Sequence, residues 1–319
     1  MKNRRISRPD GAVQVVSLLP AATEIVAALG LTDWLVGVSH ECDYPPEVKN
    51  RPRVTRCEIY GKGLSSADVD AWVNGELAAG RPLYTLDPEL LRALEPDVIL
   101  TQQLCDVCAI DYGSVAAFAA SLPKRPKIIN LEPSSLADIF SDIERVAAAL
   151  GEVDRGQALV ASLTQRVDRV RSQVAKATTR PRCCHLEWID PLFCSGHWTP
   201  ELMEMAGATD PLGRKGLPST RVAWEQVLEA QPEILVLACC GYDAERTVQD
   251  LEILKRQAGW NRLPAVSRHQ VYAIDGSAYF SRPGPRIVDS LEMLAEIVHP
   301  ELFPMRSSAW IPAECSSGA

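Results

Sequence analysis

The sequence lacks the features that mark several classes of protein. No apolar stretch approaches the roughly 18–20 residues that a membrane-spanning helix needs. The formal net charge is −8 and no run of Lys and Arg interleaves with aromatic residues, so a nucleic-acid partner is not expected. No Walker motif, dinucleotide glycine fingerprint, nucleophile elbow or zinc-protease motif occurs. We therefore do not predict an enzyme from its motifs.

What is present suits a globular protein of ordinary composition. The chain has 319 residues, of which 46% are hydrophobic and 23% charged, enough for two domains with cores of their own. Lys2, Arg4 and Arg5 precede the apolar run 12–22, as in a secretory signal, but Pro9 and the two residues after it separate the charges from that run. We therefore predict a cytoplasmic protein, and a periplasmic one if the true start codon lies upstream.

Two segments of the first half recur in the second half. Glu24–Asp33 matches Glu201–Asp210, since each opens with Glu, has Gly six positions later and ends in Thr-Asp. The pattern predicts a short amphipathic helix that ends at a left-handed glycine. The segment from Glu89 matches the segment from Glu225, and in both a helix stops before a proline and a buried strand follows. The order of the two units is the same in both halves, so we predict two related lobes.

Short apolar runs separated by helical patterns predict parallel α/β layers in each lobe. The predicted strands are 13–19, 34–38, 98–101 and 127–131 in the first half, and 183–186, 234–238 and 270–274 in the second. Between the halves, 134–150 and 154–177 have helical periodicity, and a helix of about 24 residues is about 36 Å long. The fold class predicted is α/β, with two Rossmann-like lobes joined by a long backbone helix and a ligand cleft between the lobes. The predicted domains are an N-terminal lobe at 1–133, a helical linker at 134–180, a C-terminal lobe at 181–305 and a disordered tail at 306–319.

From residue 13 to residue 303 the sequence resembles the periplasmic binding proteins for vitamin B12 and iron–siderophores. The segments that carry the resemblance are Ser17–Glu24, Asp43–Pro46, the unit that opens at Glu89, Asp190–Gly196 and Arg282–Arg286. The resemblance implies a binding protein that holds a corrinoid, or a related metal chelate, in the cleft between its lobes, with no covalent chemistry. It also implies that Glu89 and Glu225 present one acidic residue per lobe to arginines of a membrane permease, if the protein is exported.

The resemblance carries over to the ligand-binding residues only in part. Phe193 matches an aromatic residue that contacts the corrin, and Arg282 matches an arginine beside the ligand. Glu41 stands where the family has a cleft tyrosine, and two tryptophan positions fall near Cys57 and in the loop 105–108. This departure concerns the specificity for a corrinoid, not the fold.

The residues that follow the predicted strands are the candidates for ligand contact, since ligands bind beyond the carboxyl ends of strands in open α/β sheets. Imidazole can bind cobalt or iron, aromatic rings can stack on the ligand, and arginine can hold an anionic group. The candidate ligand-binding residues are His40, Glu41, Phe193, His197, Trp198, Tyr242, Tyr279, Phe280 and Arg282.

Cysteines recur at the same strand ends and give a second hypothesis. The spacing of Cys105 and Cys108 lets two thiolates share one metal, although a disulfide or redox pair is equally allowed. Cys42 and Cys240 can complete a set of four for an Fe–S cluster or a metal ion, with redox or enzymatic use. Free or packed cysteines are the alternative.

Overall fold

The structure is a computed structural model that describes residues 13–102, 112–304 and 310–312. Within these residues the strands are β1 Val15–Ser17, β2 Leu35–Val38, β3 Thr55–Cys57, β4 Tyr84–Leu86, β5 Val98–Gln102, β6 Lys127–Leu131, β7 Cys183–Ile189, β8 Leu192–Cys194, β9 Thr220–Arg221, β10 Ile234–Leu237, β11 Val271–Ile274 and β12 Trp310–Pro312. The helices are α1 Pro20–Ala28, α2 Ser66–Ala78, α3 Pro88–Leu94, α4 Tyr112–Ser121, α5 Leu136–Ala149, α6 Val153–Val174, α7 Thr199–Met205, α8 Trp224–Ala230, α9 Ala244–Lys255, α10 Pro264–Ser267 and α11 Ile287–Val298. Short 3₁₀ helices cover Thr32–Trp34, Pro46–Asn50 and Trp260–Arg262. No helix in the described part of the chain is both long enough and apolar enough to cross a membrane.

The chain divides into two compact units built from non-consecutive pieces. The first unit comprises Met1–Gly61, Glu76–Glu132 and Asp142–Leu159, and the second comprises Lys62–Gly75, Pro133–Ser141 and Val160–Ala319. The predicted linker 134–180 is thus shared between the units, and α6 begins in the first unit and continues into the second. The predicted backbone helix agrees with α6 within a few residues. No proline interrupts α6, and no glycine follows Gly156 within it.

The first unit contains a parallel sheet with the strand order β2-β1-β5-β6. Its strand β5 is buried along its whole length, which explains why it opens with the apolar run Val98–Leu100 with no alternation, although the buried residues Thr101 and Gln102 that follow are polar. Val16, Leu91, Ile99 and Val115 pack together in the core of this unit. An antiparallel pair, β3 with β4, forms a separate small sheet.

The second unit contains a mixed sheet with the strand order β12-β11-β10-β7-β8-β9. Strands β7, β10 and β11 are parallel, as β1, β5 and β6 are in the first unit, so the three central strands repeat. Where the first unit has the parallel neighbour β2, the second has β8, which is antiparallel to β7. The shared strands confirm two related α/β units, and the hairpin β7–β8 is where they differ.

The two repeated sequence units occupy equivalent places in the units. Helices α1 and α7 are followed by Gly30 and Gly207, whose φ values of 75° and 87° are left-handed, as the pattern predicts. Helices α3 and α8 end at Glu95 and Gln231, each with φ 45° and each directly before a proline. The Asp87 side chain accepts a hydrogen bond from the Leu90 backbone N–H and caps α3.

The sequence predicts disorder for the tail 306–319. Within this segment, however, the structure has the strand β12, which pairs antiparallel with β11 at Tyr272, Ala273 and Ile274. The open edge of β11 offers backbone donors and acceptors that an extended segment satisfies. The other residues of this segment lie outside the described residues.

Candidate functional site

His40 lies at the carboxyl end of β2 in the first unit and is held by one hydroxyl. Thr55 Oγ1 accepts a hydrogen bond from the His40 backbone N–H at 2.9 Å and lies 2.7 Å from Nδ1 of the ring. Thr55 itself is buried in β3, so the anchor does not move freely. The ring is therefore fixed in orientation by a neighbouring strand.

Two tyrosine rings pack against the ring of His40. Tyr60 meets it edge-on with 4.9 Å between centroids, and Tyr84 lies tilted at 5.5 Å. The Nε2 atom is buried and makes no hydrogen bond within the described residues. Burial, with the charge of Arg53, lowers the pKa of His40 to about 4, so the imidazole is neutral at physiological pH.

Two further predicted residues follow His40. Glu41 is half-buried, and its backbone N–H donates to Ser39 Oγ at 3.3 Å. Cys42 has no exposed surface, and its sulfur lies 3.1 Å from both Thr23 Oγ1 and Ser39 Oγ. The turn after β2 thus directs this thiol into the core, where hydroxyls surround it, and its role as a metal ligand stays a prediction.

In the second unit, aromatic residues at the strand ends pair with guanidinium groups. Tyr242, after β10, packs at a tilt against Trp188 of β7, with 5.0 Å between ring centroids and 37° between the ring planes. Arg246 of α9 lies over the Tyr242 ring, with Cζ 4.5 Å from its centroid, and burial raises the pKa of Tyr242 to about 12. The Tyr242 ring thus contacts both a tryptophan ring and a cation.

Phe193 of β8 has a similar neighbour. Arg221 of β9 places Cζ 5.5 Å from the Phe193 ring centroid, which is within the range of a cation–π contact. Arg221 also donates from Nη2 to both carboxylate oxygens of Asp70, at 2.9 and 2.8 Å. The carboxylate therefore positions the cation beside the ring.

Asp70 belongs to the 62–75 segment, which lies between two pieces of the first unit in the sequence but clusters with the second unit. Ser66 Oγ donates to the buried carboxylate of Asp250 at 2.5 Å, and Arg246 Nη1 donates to the same carboxylate. Arg246 Nη2 also donates to the Leu64 carbonyl at 3.3 Å. The 62–75 segment thus contributes to the support of both arginines that lie over aromatic rings.

His197, Trp198 and Phe280 have packing roles that their loop positions did not reveal. The Trp198 indole N–H donates to the Phe280 carbonyl at 3.0 Å, and the two side chains are only 5% and 3% exposed. This hydrogen bond and the ring contact of Phe280 with His185 place both side chains in the core of the second unit, and their role in ligand contact stays a prediction. His197 is half-buried with φ 52°, its backbone N–H donates to the Leu217 carbonyl, and burial lowers its pKa.

The turn after β11 carries the remaining predicted residues. Arg282 is buried, and its Nη2 donates to Ser277 Oγ at 3.2 Å. Tyr279 is half-buried, with Cζ of Arg286 5.4 Å from its ring centroid. Burial raises the pKa of Asp275, an effect that the nearby arginines Arg282 and Arg286 oppose.

The predicted Fe–S cluster or metal site depends on Cys105 and Cys108, and both lie outside the described residues. Cys240 is exposed after β10. Among residues 13–102, 112–304 and 310–312, no group of three or more His, Cys, Asp and Glu side chains is arranged to hold a metal ion. With Cys42 in the core, the described residues do not favour a cysteine-bound cluster.

Glu89 and Glu225 lie in the first turns of α3 and α8, the helices that the repeat makes equivalent. Both side chains are exposed. Each is favoured there by the helix dipole, whatever its further role.

Sequence reasoning missed several residues that build these contacts. Tyr60, Tyr84 and Trp188 were not singled out, and neither were Arg221 and Arg246. Tyr84 and Arg221 stand in strands of two or three residues that carry no hydrophobic pattern. The Gly-Lys-Gly turn after Tyr60 was the one available signal that a loop is there.

The sequence profile of the family described as "Periplasmic binding protein" matches residues 15–278. A vitamin B12-binding protein of Vibrio cholerae is 26% identical over 294 residues, which are 91% of this chain and 90% of that protein. An uncharacterized ABC transporter substrate-binding lipoprotein of Bacillus subtilis is 23% identical over 91% of this chain and 81% of its own length. A periplasmic heme-binding protein from Roseiflexus sp. RS-1 superposes with a TM-score of 0.68 over 91% of this chain and 99% of that chain, at 23% identity.

Proposed function

The chain belongs to the periplasmic binding protein family, and from this premise we propose that it binds a metal tetrapyrrole, with a corrinoid such as cobalamin as the first candidate. The family consists of binding proteins, so the chain is classed as a binding protein and not as an enzyme. The ligand is expected to be held by contacts alone, without a covalent step.

The similarity to the vitamin B12-binding protein carries this proposal, because it extends over 91% of this chain. The heme-binding protein from Roseiflexus shares the fold and supports an iron porphyrin as the second member of the same ligand class. Both ligands are flat macrocycles around a metal ion, and they call for aromatic contacts and for polar groups at the rim.

The residues at the strand ends provide contacts of this kind in each unit. In the first unit the imidazole of His40 lies among the rings of Tyr60 and Tyr84. In the second unit half-buried Phe193 and Tyr242 are both positioned by neighbouring arginines. These rings are our proposed contacts for the faces and edges of the macrocycle.

Replacing the ring at Phe193 tests this assignment. We expect Phe193→Leu to weaken cobalamin or hemin binding by roughly tenfold, because truncation of one of the few residues that dominate a binding site costs more than about 1 kcal/mol. Binding is measured by absorbance titration, and the urea unfolding midpoint is measured alongside. The matched control is Phe118→Leu, a partly buried phenylalanine on α4 that packs against the core of the first unit. Equal affinity of wild type and Phe193→Leu would remove Phe193 from the site.

We further propose that the partner depends on the compartment. In the cytoplasm, the location predicted from the first residues, the chain holds its ligand without a transporter. If it is exported, exposed Glu89 and Glu225 are the proposed contacts with an ABC permease, a role that the similarity to a substrate-binding lipoprotein supports. Cell fractionation with an antibody against the chain separates the two cases.

A further inference from the structure

The Nε2 atom of His40 is a buried polar atom that the fold leaves without a hydrogen bond among the described residues. A buried donor or acceptor without a partner costs about 1–3 kcal/mol, so such an atom calls for an explanation. The other nitrogen of the same ring is well supported, since Nδ1 lies 2.7 Å from Thr55 Oγ1. The fold therefore fixes one side of the imidazole and leaves the other available.

This arrangement is the one that metal-binding histidines use. Such a histidine donates its second N–H to an oxygen, which sets the tautomer and the ring orientation. Thr55 Oγ1 has two lone pairs, and it can accept both the His40 backbone N–H and Nδ1–H. With the proton on Nδ1, the Nε2 atom carries a lone pair.

The surroundings of the ring suit a planar macrocycle better than a bare metal ion. The described residues place no cluster of three or more His, Cys, Asp and Glu side chains that could complete a site for a free ion. The neighbours of the imidazole are instead the rings of Tyr60 and Tyr84, at 4.9 and 5.5 Å. A metal that brings its other ligands with it, as in a tetrapyrrole, needs only one further ligand from the protein.

Access to Nε2 requires a movement, and the chain offers one beside it. Tyr60 is 58% exposed although it packs on His40. Gly61 and Gly63 follow it with left-handed φ values of 73° and 64°, and a Cβ at either position would meet nothing within 4 Å. We infer that Tyr60 moves away from the imidazole when the ligand binds, and that the two glycines after it allow the backbone to follow.

We propose that Nε2 of His40 binds the metal of the ligand at an axial position, which makes the ligand a metal tetrapyrrole with an exchangeable axial site. The inference rests on the proposed function and adds the ligand atom to it. In the binding step the Nε2 lone pair forms the bond to the metal, and the axial water leaves as water. The proton stays bonded to Nδ1, whose N–H donates a hydrogen bond to Thr55 Oγ1. The metal keeps its oxidation state.

The test uses the full chain with two probes, hemin and aquocobalamin, both of which carry an exchangeable axial position. The variants are His40→Gly, which leaves room for free imidazole, and Thr55→Val, which removes only the hydroxyl anchor. The matched control is His269→Gly, an exposed histidine with left-handed φ on a turn of the second unit. Visible absorption reports the axial ligand of both probes, electron paramagnetic resonance reports it for ferric hemin, and thermal melts report folding.

We expect the wild-type complex to have the spectrum of nitrogenous axial ligation and His40→Gly to lose it. Affinity is expected to fall at least about tenfold in His40→Gly, and by about tenfold in Thr55→Val as for other groups that orient a metal ligand. Millimolar imidazole should restore the affinity of His40→Gly together with its spectrum; the spectrum alone does not decide, because imidazole also binds the free probes. His269→Gly should match the wild type. A change with hemin alone identifies an iron porphyrin, and a change with aquocobalamin alone identifies a corrinoid.

The contradicting results are distinct. A wild-type complex whose spectrum is unchanged in His40→Gly overturns the axial role of His40 and leaves the proposed function standing. A wild-type chain that retains neither probe contradicts the proposed function and this inference together.

Discussion

At the scale of single residues, three of the predicted ligand-binding aromatic side chains, all in the second unit, each have a guanidinium over the ring. Their centroid distances to Cζ run from 4.5 to 5.5 Å. The pairs are Phe193 with Arg221, Tyr242 with Arg246 and Tyr279 with Arg286. Because a cation lies over each ring, a ligand that displaces the arginine gains a positive partner for an anionic group, and at Tyr242 the ring of Trp188 is in contact as well.

The repeat gives a residue-scale prediction, because equivalent glycines differ in their surroundings. A Cβ on Gly207 would lie 2.5 Å from His299 Nε2 and 2.8 Å from a methyl group of Val174, whereas on Gly30 it would meet only the end of the Arg155 side chain at 3.2 Å. We expect Gly30→Ala to cost about 1–2 kcal/mol for the left-handed backbone. Gly207→Ala should lower the free energy of unfolding by about 1–3 kcal/mol more than Gly30→Ala does, because its Cβ overpacks the surrounding side chains.

Urea unfolding followed by circular dichroism measures both free energies of unfolding. The control within the second unit is Gly216→Ala, which shares a left-handed φ of 71° but has nothing within 4 Å of its Cβ position. If Gly207→Ala and Gly216→Ala were equally destabilised, the crowding around Gly207 would have no energetic consequence, and the expected overpacking would be wrong.

At the scale of elements, the parallel strands were predictable and the additions to them were not. The strand Val98–Gln102 is recognisable in the sequence because burial on both faces favours an apolar run, here Val98–Leu100. The hairpin partner β8 and the pairs β3–β4 and β8–β9 consist of three or fewer residues per strand and carry no such pattern. Cys42 shows the same limit at the site: its position after a strand was read correctly, but only the turn geometry decides that its sulfur points into the core.

The 62–75 segment is another element that local sequence does not predict. Its serine–aspartate contact joins residues 184 positions apart, Ser66 and Asp250, and no local propensity encodes such a pair. Through Asp250 and Asp70 the segment supports the arginines that lie over Tyr242 and Phe193. We therefore assign it a positioning role for the aromatic contacts of the second unit.

Removing the Ser66 hydroxyl tests this role. A hydrogen bond to a charged group contributes about 1.5–3 kcal/mol, so amide hydrogen exchange within the 62–75 segment should accelerate at least about tenfold in Ser66→Ala. The control is Ser172→Ala, an exposed serine whose hydroxyl donates to the Asp168 carbonyl of its own helix. Unchanged exchange in the segment, measured by mass spectrometry, would show that the Ser66–Asp250 contact does not hold it.

At the scale of the whole molecule, the chain consists of two related units, and α6 contributes to both. The repeat places an exposed glutamate at the same point of each unit, in the first turn of α3 and of α8. Duplicated acidic residues at duplicated positions suit a partner that touches both units alike. This is the physical basis for proposing a permease contact through Glu89 and Glu225.

Charge reversal at both glutamates tests the permease proposal. In cells that depend on the exported chain for uptake, Glu89→Arg with Glu225→Arg should abolish uptake while ligand affinity in solution stays unchanged. Stability should change by no more than about 1 kcal/mol per site, the scale of a helix-dipole contact. The matched control is Glu245→Arg, an exposed first-turn glutamate of α9 outside the repeat. Full uptake by the double variant would exclude this docking mode.

The central claim is that the folded chain holds one metal tetrapyrrole, and its most direct test is gel filtration of the purified protein after mixing with cobalamin or hemin. Absorbance of the protein peak, together with metal analysis, gives the amount of ligand carried per chain. If the chain is a metal-tetrapyrrole-binding protein, one of the two ligands elutes with the protein at one equivalent. Elution of both ligands entirely in the small-molecule fractions would contradict it.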